Sequence, residues 1–394
     1  MPSPIEDRPG LLIRDPFRYS DMTLVVPPPL VSCLECFDGE QTELDLRRKL
    51  VQATGDLQIG ELVTHLSNAL RDAAFLEDDE FERRKEERQR LFASLDIRAA
   101  AHSGAAYPEE PNALRETMDR YLCGNDVSPE PPRNGLIGIA APHVSPEGGW
   151  ECYREAYRSL GPEVTERVFV ILGTSHYGEP NRFGLTRKRF STPFGMAETE
   201  RGWVDYLERA APYAVRMEDY CHAVEHSIEF QIVFLQTIFG PAVKTLPILC
   251  GAYAKSIFEG GMPEDDESVK RFLNALGELA ERERDRIVWV LGVDMAHVGI
   301  RYGDGIPVQA GADYMCEVEE RDRARVERIC AGDARGFWDL VQHNHDDLKW
   351  CGSAPFYTFL SANPSARGEL KRYEQWNIDS HSVVSFAGIR FHGQ

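Results

Sequence analysis

The chain has 394 residues, of which 44 are basic and 64 are acidic, so its net charge at pH 7 is −20. A surface of this charge repels nucleic acid and anionic membranes, and neither is expected as a partner. The length allows two domains. Nine cysteines, an odd number, together with the lack of a signal segment or a long apolar window, predict a soluble cytoplasmic protein with reduced thiols.

Residues 1–80 predict a small, mainly helical domain. Thr42 and Asp45 have the spacing of a capping box at the start of one helix, and a later helix has an apolar stripe made of Ile59, Leu62, Val63, Leu66 and Leu70. The DGEQTELDL hinge and the helix spacing resemble winged-helix modules related to PqqD-type peptide-recognition domains, which implies binding of a peptide or partner enzyme. Cys33 and Cys36 form a lone CxxC, which we interpret as two small apolar residues one helical turn apart.

Residues 81–133 are predicted to form a charged helical connector and a linker. EDDEFERRKEERQR is typical of a solvated helix, whereas CGNDVSPEPPRNG has the Pro and Gly content of a linker. We therefore place the domain boundary between Asn125 and Asn134, and residues 134–394 form the second domain.

Three apolar runs of the second domain each end at a short turn that carries a histidine. GLIGIAAPH ends at His143, RVFVILGTSH ends at His176, and RIVWVLGVDMAH ends with Asp294 and His297. Such runs are typical of strands buried on both faces, and in open sheets ligands bind beyond the carboxyl ends of the strands. We expect these side chains to meet at one edge of a sheet.

The remaining segments continue an alternation of strands and helices. GEPNRFGLTRKRFSTPFG predicts a long ordered loop that walls a pocket. HAVEHSIEFQIVFLQTIFG predicts a helix near His226, whose neighbours Glu225 and Glu229 are candidates for fixing its tautomer. VKTLPILCG and SVVSFAGIRF predict further strands. The pattern indicates an α/β fold, a three-layer α/β/α sandwich preceded by the winged-helix-like domain.

Other residues are weaker candidates. His343 and His345 form an HxH in a polar run that is typical of a solvated loop, and His222 is expected at most to support His226. Asp294 and His297 are spaced to face the same way, as orienting groups or extra ligands.

The absence of some known catalytic motifs argues against the classes of enzyme that use them. GxGxxG and Walker patterns are missing from the strand-to-helix turns, which argues against nucleotide chemistry, and no GxSxG elbow supports a serine hydrolase. Hydrolysis by Cys351 with a nearby histidine stays open.

Six motifs, APH, GTSH, EHSIEFQ, GVDMAH, WCGSAP and SVVSFAG, resemble in their order the Memo family, named for a mediator of cell motility and widespread in bacteria and archaea. The resemblance covers about the last two thirds of the chain. It implies a fold similar to class III extradiol dioxygenases, which hold non-haem Fe(II) with two histidines and a glutamate. In the Memo pattern the two histidines match His143 and His176, and Cys351 replaces the carboxylate.

The resemblance also implies roles for the remaining site residues: His226 as an acid or base, and Asp294 and His297 as residues that line the pocket. Two imidazoles and a thiolate suit Fe(II), zinc or copper, and three protein ligands leave coordination positions open. Fe(II) is the expected metal.

Two functions follow as hypotheses. The first is a metal-dependent redox enzyme acting on a small molecule or peptide, with a radical SAM protein as a pathway partner by resemblance. The alternative is a non-catalytic binding or scaffold protein that uses the dioxygenase-like pocket to bind a peptide or partner protein.

Overall fold

The computed structural model describes residues 9–122 and 135–393 of a chain that divides into two compact units, Met1–Ser94 and Leu95–Gln394. Within these described ranges, no helix has both the length and the apolar character needed to cross a membrane.

The N-terminal unit combines a two-stranded antiparallel sheet with three α-helices. Its elements are β1 (Leu11–Arg14), β2 (Thr23–Val26), a 3-10 helix (Pro28–Cys36), α1 (Glu43–Thr54), α2 (Gly60–Asp72) and α3 (Asp79–Ser94). Thr42 and Asp45 form the predicted capping box of α1. Cys33 and Cys36 are buried in the unit's apolar core with Leu66 of α2, which confirms their apolar interpretation. The likeness to PqqD-type modules stays a prediction.

The domain boundary differs from the predicted one. The second unit begins at Leu95 rather than near Asn134, because β3 (Ile97–Arg98) pairs in parallel with β7 (Arg189–Thr192). Helix α4 (Pro111–Leu122) adds Leu114 and Met118 to the core of that unit. Composition did not reveal this boundary because β3 has only two residues and pairs with a distant strand. The predicted linker at 123–134 lies outside the described residues.

The described part of the second unit contains one mixed sheet of twelve strands. Besides β3 and β7 they are β4 (Leu136–Ala141), β5 (Val168–Thr174), β6 (Phe183–Leu185), β8 (Gly195–Thr199), β9 (Val215–Met217), β10 (Lys244–Cys250), β11 (Ile287–Gly292), β12 (His297–Gly299), β13 (Arg367–Asp379) and β14 (Ser382–His392). The order is β12-β14-β4-β11-β5-β10-β8-β7-β3, with β13 beside β14 and β6 between β10 and β9. Strands β4, β11, β5 and β10 are parallel neighbours, so their carboxyl ends lie at one edge.

Helices cover both faces of this sheet. They are α4, α5 (Pro146–Tyr157), α6 (Arg201–Ala210), α7 (Cys221–Val224), α8 (Glu229–Phe239), α9 (Ala254–Glu259), α10 (Glu267–Arg282), α11 (Asp313–Cys330), α12 (Ala334–Gln342) and α13 (Ser353–Ala362). Val170 and Leu172 of β5 belong to a core that includes residues of α6, α10 and α13. Phe169 and Ile171, which point to the opposite face, belong to a core with α5 and α8. The predicted three-layer α/β/α arrangement is confirmed.

The segment 178–195, predicted as one long loop, is interrupted by short strands. It contains β6, β7 and the first residue of β8. These strands are too short for a visible local pattern, and β6 is defined by its antiparallel pairing with Ile248–Cys250 of β10.

Candidate metal centre

Three neighbouring parallel strands deliver the candidate side chains to one edge of the sheet. His143 follows β4, His176 follows β5, and Asp294 follows β11, which lies between the other two. Cys351 reaches the same edge from the loop before α13. The expected convergence of strand ends is therefore observed.

The ligand atoms of His143, His176 and Cys351 all lie within 4.8 Å of one another. Cys351 Sγ is 3.2 Å from His143 Nε2. The other ring nitrogen of His143, Nδ1, donates a hydrogen bond to the carbonyl of Gly292 at 2.9 Å. This bond holds the ring with Nε2 directed toward Cys351, where Nε2 can donate to the thiolate in the metal-free protein or, when neutral, bind a metal through its lone pair.

Glu225 holds two imidazoles at once. Its carboxylate lies 3.0 Å from Nδ1 of His176 and 3.2 Å from Nδ1 of His226, and the two rings stack with centroids 5.0 Å apart. With Nδ1 of each ring directed to Glu225, Nε2 of each is left for a metal or a substrate. Sequence reasoning placed Glu225 beside His226 but missed its contact with His176, which requires the fold.

A second group, His176, Glu225 and His226, also has ligand atoms within 4.8 Å. Here the carboxylate is already occupied, since it accepts the backbone N–H groups of His176, His226 and Ser227 at 2.8–3.1 Å. Glu225 is therefore an orienting group, and the cluster with the thiol is the better metal candidate.

Two glycines let the His226 segment approach the sheet closely. A Cβ on Gly173 of β5 would lie 2.6 Å from Ser227 Oγ, and one on Gly292 of β11 would lie 2.2 Å from the Ser227 carbonyl. The Ser227 hydroxyl donates to the carbonyl of Thr174 at 2.9 Å. As a result, the His226 ring lies 5.1 Å from that of His143.

Asp294 and His297 border the cluster in different ways. Asp294 is buried, and its Oδ1 accepts the N–H groups of His143 and Val144 at 2.9 and 3.2 Å, which fixes the turn after β4. Its Oδ2 is 3.6 Å from His143 Nε2. His297 is half-buried, and its Nδ1 donates to the carbonyls of Met295 and Lys349, so it contacts the loop that leads to Cys351.

The electrostatics favour a thiolate among imidazoles. Burial raises the pKa of the Cys351 thiol, but His143 and His297 outweigh it and lower that pKa to about 5. Burial lowers the pKa of His143, yet the Cys351 thiolate and Asp294 raise it to about 9. Burial lowers the pKa of His226 to about 4 despite Glu225. His226 is therefore neutral at pH 7.

Several residues named from the sequence lie elsewhere. His343 and His345 are exposed, in a short 3-10 turn. His222 is buried, and its Nε2 donates to the Gly184 carbonyl. Glu229 does not fix the tautomer of His226, because its carboxylate binds Arg98 and Tyr107.

One site neighbour was not found from the sequence. His102 lies in the segment after β3, and its ring packs 5.5 Å from that of His226. Its backbone N–H donates to Glu229 at 3.0 Å. It was not considered as a site residue because this segment was predicted to be a linker.

Comparisons with known proteins identify relatives of this chain. A family model described as Memo-like protein matches residues 98–390. A MEMO1 family protein of Aquifex aeolicus is 25% identical over 97% of this chain and 96% of its own length. A MEMO1 family protein of Methanopyrus kandleri is 26% identical over 75% of this chain and 98% of its own. A solved structure, an uncharacterized protein of Escherichia coli K12, covers 65% of this chain and 99% of its own with 12% identity and a TM-score of 0.39.

Proposed function

Because the chain belongs to the Memo family, we propose that it is a metal-dependent redox enzyme in which His143, His176 and Cys351 hold one metal ion. Non-haem Fe(II) is the proposed metal, with copper and zinc as competitors. The observation that carries the proposal is the convergence of two imidazoles and a thiol, from three separate elements, within 4.8 Å.

The donor set fits such an ion. Thiolate and imidazole are ligands of iron, copper and zinc, and the soft sulfur disfavours magnesium and calcium. The lowered pKa of Cys351 supplies the deprotonated thiol that metal binding needs. Three protein ligands leave coordination positions open, so the bound metal would supply electron transfer and room for oxygen or substrate.

His226 is proposed to move a proton. Its Nδ1 faces Glu225 at 3.2 Å, which leaves Nε2 unprotonated and able to accept a proton. Its side chain is 29% exposed, so a substrate can reach the ring. A neutral imidazole beside a metal site is suited to general base catalysis.

Asp294 and His297 are proposed to position the reacting groups. Asp294 accepts the backbone N–H of His143 and so fixes the turn that carries this ligand. His297 contacts the Lys349 carbonyl in the loop before Cys351, and its ring is partly exposed. Among the described residues, no His, Cys, Asp and Glu cluster of metal-binding geometry occurs in the N-terminal unit. We propose that this unit recognises a peptide or a radical SAM partner.

The test is elemental analysis of full-length protein purified without air and without chelator. A redox enzyme contains a stoichiometric redox metal whose absorption spectrum changes when oxygen is added. A protein that holds only zinc would reject the redox proposal, since zinc does not change its oxidation state. Binding of a partner that is unchanged after chelation would favour the scaffold alternative.

A further inference from the structure

Asp322 on α11 is a fully buried carboxylate with no part in the chemistry proposed above. It accepts hydrogen bonds from three side chains: the indole Nε1 of Trp350 at 2.7 Å, the hydroxyl of Tyr373 at 2.8 Å and the hydroxyl of Ser385 at 2.5 Å. Burying a carboxylate is unfavourable unless it is well bonded. Two of its three partners lie next to the candidate metal centre.

Trp350 directly precedes Cys351. Its side chain is buried, and the guanidinium carbon of Arg325 lies 5.1 Å from the ring centroid. Asp322 and Arg325 are three positions apart and so share one face of α11. Asp322 therefore contacts the N–H edge of the indole and Arg325 contacts the plane of its ring. These two contacts restrict the position of the Trp350 backbone, and with it that of the adjoining Cys351 backbone.

The loop before Trp350 has unusual backbone conformations. Asn344, His345 and Asp346 have φ of 60°, 52° and 52°, and Lys349 has φ of 54°. Non-glycine residues keep the left-handed conformation only where the surroundings impose it. Arg325 also donates to Asp346 at 2.7 Å, and Arg321 of α11 pairs with Asp347. Helix α11 therefore holds this loop at Asp346 and Asp347 as well as at Trp350.

Ser385 of β14 extends the network to the turn that contains Asp294 and His297. Its hydroxyl donates to Asp322 and accepts the N–H of Ala296 at 2.9 Å. Its backbone pairs with Met295 and Ala296 as well. Ala296 lies between Asp294 and His297. The buried carboxylate therefore adds a side-chain link between the Cys351 loop and the Asp294–His297 turn, which also contact each other through the backbone, as in the bond from Gly352 N–H to the Asp294 carbonyl at 3.0 Å.

We propose that Asp322 is a positioning residue that sets the place of Cys351 relative to His143 and to the Asp294–His297 turn. It acts through Trp350 and Ser385 and contacts no substrate. This inference rests on the proposed role of Cys351 as a metal ligand.

The experiment measures Co(II) binding to the full-length protein, by affinity and by the thiolate-to-cobalt charge-transfer absorption. Trp350→Phe removes the indole N–H but keeps an aromatic ring. Trp338→Phe is the matched control, because Trp338 is also buried and its Nε1 donates at 2.7 Å to Ser256. Asp322→Asn and Trp350→Phe should each weaken Co(II) binding about 10–100-fold, as loss of outer-shell partners does, and should change the charge-transfer band. Trp338→Phe should change neither.

A double variant tests whether the two residues act together. Asp322→Asn with Trp350→Phe should bind Co(II) no more weakly than the weaker single variant, because both changes remove the same link. The inference would be overturned if the losses of Co(II) affinity in the two single variants multiplied in the double variant. It would also be overturned if Trp350→Phe and Trp338→Phe bound Co(II) equally well. If circular dichroism shows that Asp322→Asn does not fold, Trp350→Phe and Ser385→Ala decide the question by the same two measurements.

Cys351→Ala separates this inference from the proposed function. If Cys351→Ala binds Co(II) as the wild type does, the ligand set itself is wrong. If Cys351→Ala loses Co(II) while Trp350→Phe does not, only the positioning role of Asp322 is rejected.

Discussion

Nε2 of His143 lies 3.2 Å from Sγ of Cys351, although 208 positions separate the two residues in the chain. The contact joins the end of a central strand to a loop that a separate helix holds in place. Each group changes the pKa of the other in the direction that favours an imidazolium and a thiolate in the metal-free protein.

The proposed ligand set predicts that His143→Ala, His176→Ala and Cys351→Ala each abolish stoichiometric metal. A site with three protein ligands loses most of its affinity with any one of them, while the remaining core should keep the domain folded. Elemental analysis and circular dichroism of anaerobically purified variants check this. His343→Ala is the control and should retain the metal, since His343 is exposed in the turn 343–346. Full occupancy in Cys351→Ala would make Asp294 or His297 the third ligand.

His226→Gln should keep the metal and lose activity. A positioned acid or base contributes about 10²–10⁴ to the rate, so oxygen consumption by the Fe(II)-loaded variant with ascorbate should fall by a factor of that order. Unchanged oxygen consumption would reject the proton-transfer role. Loss of the metal would place His226 among the ligands.

Glu225→Gln should weaken metal binding about 10–100-fold, because it removes the carboxylate that orients His176. Its matched control is Glu229→Gln, a second buried carboxylate that binds Arg98 instead. The control should lower the free energy of unfolding by about 3–5 kcal/mol through the unpaired charge of Arg98, with little change in metal affinity. Urea unfolding and Co(II) titration of both variants measure the two effects. Equal metal affinities in the two variants would contradict the orienting role.

The pKa of the Cys351 thiol predicts an unusual pH dependence in the metal-free protein. A thiol whose pKa is lowered to about 5 is deprotonated above that pH and becomes protonated as the pH falls through it. Alkylation of Cys351 by iodoacetamide, followed by mass spectrometry, should therefore be constant between about pH 6 and pH 8, whereas free cysteine with a pKa of about 8.5 reacts faster with rising pH. In His143→Ala the reaction should become dependent on pH in this range, because the burial that raises the pKa of Cys351 is then less fully offset. A Cys351 that reacts like free cysteine in the wild type would contradict the assigned thiolate.

The observed domain boundary predicts different outcomes for two truncated chains. A fragment 95–394 should fold and bind metal. It should lose only partner binding, which a pull-down comparison with the full-length chain measures. A fragment 134–394 lacks Arg98 and Tyr107, the partners of the buried Glu229. Breaking a buried ion pair costs about 3–5 kcal/mol, so this shorter fragment should be much less stable in thermal unfolding. Equal stability of the two fragments would contradict this role of Arg98 and Tyr107, and unchanged partner binding would remove the recognition role of the N-terminal unit.

The sequence was sufficient to predict the meeting of His143, His176 and Asp294, because each follows a long apolar run and parallel strands share one edge. It was also sufficient for the capping box at Thr42, which depends on neighbours in the chain. In both cases each pattern used for the prediction lies within a single short segment of the chain.

Other features depend on contacts between distant segments and could not be predicted. Arg98 gives no local sign that it is buried against Glu229, and the short strand β6 exists because β10 lies beside it. The long strand β13 was missed because its charged sequence, RGELKRYEQWNID, lacks the alternation of a half-buried strand. The network of Asp322 was missed because Trp350 and Ser385 are distant from it in the chain and contact it only in the folded unit.

Strand β14 has a consequence for biosynthesis. Ile389 of β14 pairs with Ala140 of β4, so two neighbours in the sheet are far apart in the chain. Ser385 on the same strand completes the turn that contains Ala296. On a ribosome, His143, His176 and Cys351 are all synthesised before β14, but the sheet beside β4 and the turn around Ala296 stay open until β14 docks. We therefore expect metal insertion to follow the synthesis of β14, so that a growing chain that ends before this strand does not retain the ion.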